Sequence, residues 1–316
     1  MIRAAINGFG RIGRTAFKIA IEKFPQDVEI VAINDLTDSK TLAHLLKYDS
    51  NYGIWPQKVS SDASSIIVND KEYPVTAEKD PEKLPWKDLS VDVVIESTGR
   101  FIDFDGAQKH ITAGAKKVVI SASVGGSTSL TTGGDGTSGV KTFILGVNAG
   151  KYAGEKIISN ASCTTNCIAL VAAVMNLKFG VLKAMMTTIH AYTQDQNLQD
   201  GPHKDLRRAR AAAENIVPTT TGAAIATTET IPELKGLFDG QAIRVPVAVG
   251  SISDFTFLLK KKVTVEEVNQ VFKEVSENPI FKPILAVSEE PLVSSDIVGR
   301  SESAIVDLSL TQIVDG

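Results

Sequence analysis

A chain of 316 residues that is 43% hydrophobic and 22% charged can bury a large core, and its length suits about two ordinary domains rather than a disordered or fibrous polymer. The net charge of -4 gives no global attraction to nucleic acid or to an anionic membrane, so any anionic ligand must be held by a local basic cluster. No apolar run approaches the roughly 18 residues of a membrane span, and strand patterning begins at Ile2 without a signal-peptide layout, so the default expectation is the cytoplasm.

Residues 2–6 (IRAAI) read as a short strand, followed by NGFGRIGR at 7–14, by Ala16, Ile19, Ala20 and Phe24 at helical spacing, and by a second strand at 28–34. This is a strand, turn, helix, strand unit of the length expected for a right-handed crossover in a parallel sheet. Within it, Gly8, Gly10 and Gly13 have separate tasks. The first permits the tight turn, the second lets backbone approach a pyrophosphate, and the third lets helix and strand pack closely. The helix that opens at Arg11 and Ile12 then points free amides at the phosphates. Asp35 ends the next strand about 20 residues on, where a carboxylate accepts from adenosine ribose hydroxyls and repels a 2′-phosphate. The pattern predicts a dinucleotide site for NAD rather than NADP.

Further strands are expected at 65–69, 91–97, 116–122 and 142–147, several of them separated by helical patterns. Near-continuous Val and Ile runs alternating with helices indicate a sheet covered on both faces, a Rossmann-type doubly wound α/β arrangement. The Gly-, Ser- and Thr-rich stretch 124–140 reads as a surface loop. After about residue 160 the pattern changes to a helix over 164–179 and longer strands at 181–193, 241–249 and 253–262. That predicts a nucleotide domain over 1–160 and an α+β catalytic domain with a mostly antiparallel sheet over 161–316. A further helix starts at Thr264, where Thr264 and Glu267 fit a capping box and Val268, Val271, Phe272 and Val275 line one face.

The two cysteines, Cys163 and Cys167, stand four residues apart on one helical face and do not form a disulfide framework. No second Cys or His pair stands at ligand spacing, so no metal site is expected. They are a reactive thiol or core residues. In SNASCTTNC (159–167), Cys163 directly precedes an apolar helix whose dipole lowers a thiol pKa from about 8.5 toward neutrality. Cys167, one turn further in, reads as packing.

NGFGRIGR, ASCTTNC, HAYTQDQ at 190–196, HKDLRRARAAAENIVPTTTGAA at 203–224 and RVPVAVGS at 244–251 together resemble the phosphorylating glyceraldehyde-3-phosphate dehydrogenases, in family order and near-family spacing along the whole chain. The resemblance implies a glycolytic enzyme that oxidises the aldehyde with NAD through a thioester on Cys163, with His190 as base and later acid. Thr193 and Arg244 would then hold the substrate phosphate, and Ser162, Thr164, Arg208, Thr221 and Gly222, beside the Cys163 thiol, would line a site for inorganic phosphate. Gly8, Gly10, Arg11, Ile12, Gly13, Asp35, Lys79 and Ser121 would contact the cofactor, and a homotetramer is implied. Without the resemblance, Arg207, Arg208 and Arg210 would read as a solvated or ion-paired face.

Two departures accompany the likeness. Family members continue beyond residue 316 with a Trp-Tyr-Asp-Asn-Glu strand and a helix, so the expectation is an incomplete sequence. They also usually carry proline at the place of Ser123, with a shorter connection than 124–140. The competing readings are an erythrose-4-phosphate dehydrogenase, distinguished by its independence of inorganic phosphate, and a non-catalytic NAD-binding protein.

Overall fold

The computed structural model describes residues 1–124 and 139–315, so the loop expected over 124–140 lies almost wholly outside the described residues. The chain divides into two compact units, Met1–Thr142 with Tyr152–Ala161, and Phe143–Lys151 with Ser162–Gly316.

The first unit runs β1 (Ile2–Asn7), α1 (Arg11–Lys23), β2 (Val28–Asn34), α2 (Ser39–Lys47), β3 (Tyr48–Asp49), β4 (Gly53–Ile54), β5 (Val59–Ser61), β6 (Ser65–Val68) and β7 (Lys71–Thr76). It continues through β8 (Val93–Glu96), α3 (Phe104–Thr112), β9 (Lys117–Ile120), β10 (Lys141–Thr142) and β11 (Ile157–Ser159). Among the described residues its main sheet has the order β10-β11-β9-β8-β1-β2-β7-β6-β5. The pairs from β10 across to β7 are parallel, while β6 and β5 join as an antiparallel edge. The doubly wound parallel sheet expected from the Val- and Ile-rich runs is present. Two apolar clusters cover it, one around Phe9, Phe17, Ile33 and Leu46, the other around Trp86, Val94, Val118 and Ile120. The chain moves from β1 to β2 in one direction and later adds β8, β9 and β11 on the other side of β1. The order therefore reverses between β1 and β8, the point at which open α/β sheets bind ligands beyond their carboxyl ends.

The second unit runs α4 (Cys163–Phe179), β12 (Val181–Ala191), β13 (Val217–Thr219), α5 (Ala223–Thr230), β14 (Phe238–Val245), β15 (Ser251–Leu259), α6 (Val265–Glu277), β16 (Leu285–Ser288) and β17 (Ala304–Asp307). Its sheet has the order β13-β14-β12-β15, with β12 antiparallel to β15, β13 antiparallel to β14, and β12 parallel to β14. Inward residues of β12, including Ala184 and Met186, meet α4, whose Ile168, Leu170, Ala172 and Met175 are buried. Thr264 caps α6 as expected: its side chain accepts from the Glu267 amide, while the Glu267 carboxylate accepts from the Thr264 amide.

One expected strand fails. Of 142–147, only Thr142 remains in a strand. The Asn148 side chain accepts from the Ile144 amide at 2.8 Å, and the Ile144 carbonyl accepts from the amides of Val147, Asn148 and Ala149. Gly146 has φ +77°, and a Cβ there would come within 2.8 Å of both Ile284 and Leu170. A side-chain-to-backbone bond and a left-handed glycine turn the chain into the second unit's core, so its apolar residues are buried in a turn.

Candidate active site

The nucleotide turn is built from strand ends. Gly8 follows β1 with φ +91°, and a Cβ on it would lie 2.7 Å from the Thr98 amide nitrogen. A Cβ on Gly13 would lie 2.2 Å from the Gly8 carbonyl oxygen, whereas one on Gly10 would meet nothing within 4 Å. Two glycines thus exist for internal contact and one for outside space. Gly10 is the N-cap of α1 and supplies no side-chain cap, and the first turn carries no acidic residue. Uncapped amides facing open space fit a pyrophosphate. Asp35 is tied to the same turn: its Oδ2 accepts from the Phe9 amide at 2.8 Å and its Oδ1 from the Thr37 amide at 2.9 Å. The Arg11 guanidinium turns away to Asp49 at 3.1 Å, so Arg11 can serve a phosphate through its amide and helix position. Ile12 is exposed beside it, Ser121 stands half-buried at the end of β9, and Lys79 is exposed after β7.

In the second unit, α4 begins at Cys163, with Ser162 as N-cap accepting from the Thr165 amide at 3.1 Å. His190, near the end of β12, places Nε2 3.4 Å from the Cys163 sulfur. Close surroundings push the thiol pKa up. The His190 hydrogen bond and charge, with bonds from Thr164, outweigh that and bring it below its ordinary value. Cys167, partly buried one turn later, is pushed up to about 11 by burial and by the neighbouring thiol. The thiol at the helix start is thus the more readily ionised of the two, and the one a turn later the less.

The His190 ring is held from behind. Its Nδ1 lies 2.7 Å from the Ala191 carbonyl and 2.9 Å from Nη1 of Arg244, the residue opposite it on β14. With the proton on Nδ1, the carbonyl is satisfied and the Nε2 lone pair faces sulfur. With Nδ1 accepting from Arg244, Nε2 carries a proton toward the thiolate. The first is the base form; once Nε2 has taken a proton from the substrate both ring nitrogens carry one, and that imidazolium is the acid form required of the same residue.

Arg244 Nη1 also donates to the Ala191 carbonyl at 2.9 Å and reaches Thr193 Oγ1 at 3.5 Å. Its Nε is buried with no protein acceptor. Burial lowers the Arg244 pKa, and the nearby Arg208 charge lowers it further. Two cations that disfavour one another, one with an orphaned donor, are suited to an anion.

Arg208 is braced by protein groups that local patterning did not reveal. Its Nη1 donates to Asp195, its Nε donates to Thr219 Oγ1 at 3.1 Å and lies 3.4 Å from Asp205, and its Nη2 donates to the Thr220 carbonyl at 3.3 Å. The Asp205–Arg208 spacing of three residues was a visible signal; the Asp195 contact spans 13 residues and was not. The adjoining Thr221 accepts from the Ala223 amide at 3.1 Å, and Gly222 is the uncapped N-cap of α5. The structure therefore joins Cys163, His190, Arg244 and Thr193 in one bonded group and Arg208 with the Thr219–Thr221 segment in another. No cluster of metal-binding side chains occurs among the described residues.

A helix-end thiol calls for an electrophile, and a dinucleotide unit calls for a hydride donor, which defines the class of NAD-dependent oxidoreductases acting on an aldehyde through cysteine. Family models agree with that class. Residues 2–104 match the NAD-binding domain of glyceraldehyde 3-phosphate dehydrogenase, and residues 162–316 match its C-terminal domain. The chain is 52% identical over 318 residues to glyceraldehyde-3-phosphate dehydrogenase 1 of Bacillus cereus, covering 100% of the chain and 91% of that relative. It is 50% identical over 317 residues to glyceraldehyde-3-phosphate dehydrogenase of Geobacillus stearothermophilus, covering 100% and 90%, and 52% identical over 321 residues to that of Mycolicibacterium smegmatis, covering 99% and 91%. The chain belongs to the glyceraldehyde-3-phosphate dehydrogenase family, and its cofactor is NAD.

Proposed function

We propose that the chain oxidises glyceraldehyde 3-phosphate to an acyl phosphate, with the first unit binding NAD and the second carrying the covalent chemistry. The observation that carries this reading is the pairing of Cys163 with His190 at 3.4 Å, beside an arginine whose buried Nε has no protein acceptor. The Cys163 thiolate adds to the aldehyde carbon, and the resulting hemithioacetal loses its hydroxyl proton to His190 Nε2 while its carbon–hydrogen bond breaks as hydride. Bound NAD supplies the hydride acceptor. The remaining thioester is attacked by inorganic phosphate, the carbon–sulfur bond breaks, and Cys163 leaves as thiolate. The Cys163 amide, at the first position of α4, is placed to donate to the carbonyl oxygen during both additions.

Arg244 and Thr193 hold the substrate phosphate in this reading. Ser162, Thr164, Arg208, Thr221 and Gly222 receive the attacking phosphate. Gly8, Gly10, Arg11, Ile12, Gly13, Asp35, Lys79 and Ser121 serve the cofactor. The Asp195 and Asp205 carboxylates hold Arg208 in place while its remaining N–H groups serve the anion. A homotetramer is supported by the outer face of the second unit's sheet, where Met185, Ile252 and Leu258 are each more than half exposed and flank Thr187 and Asp254. Large apolar side chains exposed among polar ones on one sheet face fit coverage by another copy. No described helix is long and apolar enough to cross a membrane, which is compatible with a cytoplasmic location.

The test is NADH formation with glyceraldehyde 3-phosphate in the presence and absence of inorganic phosphate. Sustained turnover that requires phosphate supports the reading. Sustained turnover without it points to an erythrose-4-phosphate dehydrogenase or another hydrolytic oxidation, and no turnover with intact NAD binding points to a non-catalytic protein.

A further inference from the structure

The chemistry of the second unit makes no use of a group of polar side chains sealed inside the first. Glu96, the last residue of β8, is 1% exposed, and Asn7 and His110 beside it are 1% and 0% exposed. Glu96 Oε2 accepts from Asn7 Nδ2 at 2.6 Å and from His110 Nε2 at 3.0 Å, while Oε1 accepts from both the amide and the hydroxyl of Thr98. The roles are fixed by the far side of the ring. The Trp86 indole can only donate, and it does so to His110 Nδ1 at 2.9 Å, so the ring's proton lies on Nε2 and points at Glu96. Four donors on two oxygens are the full complement of an ionised carboxylate.

This bonding reaches the phosphate turn directly. Immediately after Glu96, Ser97 donates its amide to the Asn7 carbonyl at 2.8 Å and its hydroxyl to the Gly8 carbonyl at 2.7 Å. The Ser97 hydroxyl also lies 3.1 Å from where a Gly13 Cβ would sit, so it fills the inside of the turn rather than its ligand face. On its other side Asn7 Oδ1 accepts from Asn34 Nδ2 at 2.7 Å, which extends the chain of bonds to the end of β2, one residue before Asp35. Glu96 thus ties together the carboxyl ends of β8, β1 and β2, where the sheet order reverses.

We infer that Glu96, acting with Ser97, is the positioning residue of the pyrophosphate turn: its buried carboxylate clamps the Ser97–Thr98 segment against Gly8 and so sets affinity for the diphosphate part of a dinucleotide. The inference rests on the NAD-binding reading of the first unit. Replacing the carboxylate by an amide puts a donor against a ring of donors, and the relief is loss of the clamp. An exchange of the two polar groups restores it. In Asn7→Asp with Glu96→Gln, the amide donates to the new carboxylate, which also accepts from Asn34 and from His110, whose Nε2 lies 3.4 Å from the Asn7 side-chain nitrogen.

The test is calorimetric binding of NAD, ADP and adenosine to the whole protein, with thermal melting and the rate of Cys163 alkylation as controls. Glu96→Gln is expected to weaken NAD and ADP by about tenfold or more while adenosine stays within about twofold and alkylation is unchanged, and the exchanged pair is expected to recover to within about threefold of wild type. Wild-type affinity for NAD in Glu96→Gln overturns the inference, as does equal weakening of all three ligands with no recovery in the exchanged pair, which marks a general structural role. Absence of NAD binding by the wild type overturns the reading beneath it instead. Where Glu96→Gln does not fold, Ser97→Ala carries the test, with weaker NAD and ADP binding expected and unchanged binding overturning the inference.

Discussion

Helices α1 and α4 each begin just beyond a parallel strand, yet their N-termini are finished in opposite ways. Gly10 leaves α1 without a side-chain cap and with open space above it, whereas Ser162 caps α4 through the Thr165 amide. The positive end of α1 is left for an anion that arrives from outside. The positive end of α4 faces a thiol the chain carries itself, Cys163, and favours its ionised form. The difference teaches that a helix start becomes a ligand site by withholding side chains, and a reactive site by supplying one.

Loss of the nucleophile should have the largest effect. Cys163→Ser is expected to lower kcat by roughly 10⁴-fold or more while NAD binding, measured by calorimetry, stays at the wild-type value. Residual turnover near wild type would end the covalent account. Next comes His190→Asn, expected to lower kcat by about 10²- to 10⁴-fold. It should also move the pH profile of Cys163 alkylation. The thiolate is the reacting form, so the rate rises with pH through the thiol pKa, which in the native protein lies below the ordinary value because burial, which raises it, is outweighed by the His190 hydrogen bond and charge together with bonds from Thr164. Without His190 the inflection moves to higher pH, and an unmoved profile contradicts the pairing. In the same experiment Cys167, pushed up to about 11, should remain unmodified near neutral pH.

The uncapped helix start is broken in two distinguishable ways. Gly13→Ala drives a methyl into the Gly8 carbonyl and should cost about 3 kcal/mol of stability, seen as a lower melting temperature together with weak NAD binding. Gly10→Ala meets no protein atom, so it should leave the melting temperature close to wild type and weaken NAD alone. Equal melting losses in both would remove the distinction between internal and ligand-facing glycines. The smallest effect belongs to Ser162→Ala, which removes a helix cap worth about 1 kcal/mol and should lower the denaturant midpoint accordingly.

Local chemistry made much of this legible. The glycine turn, the capping box at Thr264 and the thiol before an apolar run each depend on residues within a few positions of one another, and each appears where patterning puts it. The run 142–147 misled because period alone cannot distinguish a buried strand from a buried turn, and the deciding features were a left-handed Gly146 and the Asn148 side chain. The bracing of Arg208 by Asp195 and the joining of Asn7, Glu96 and His110 were hidden for a different reason. Asn7 and Glu96 are 89 residues apart, and only strand pairing between β1 and β8 brings them together. Pro74 also obscured β7, which pairs with β2 through Val75 and Thr76, beyond the proline.

The most direct test of the central claim is to mix the protein, NAD and glyceraldehyde 3-phosphate without inorganic phosphate, then follow NADH in the first turnover and analyse the quenched protein by peptide mass spectrometry. The account predicts a burst of NADH matching the concentration of active sites, with the acyl group on the peptide containing Cys163, and release of that group when phosphate is added. A burst with no acyl group on Cys163, or one located on Cys167, would contradict it.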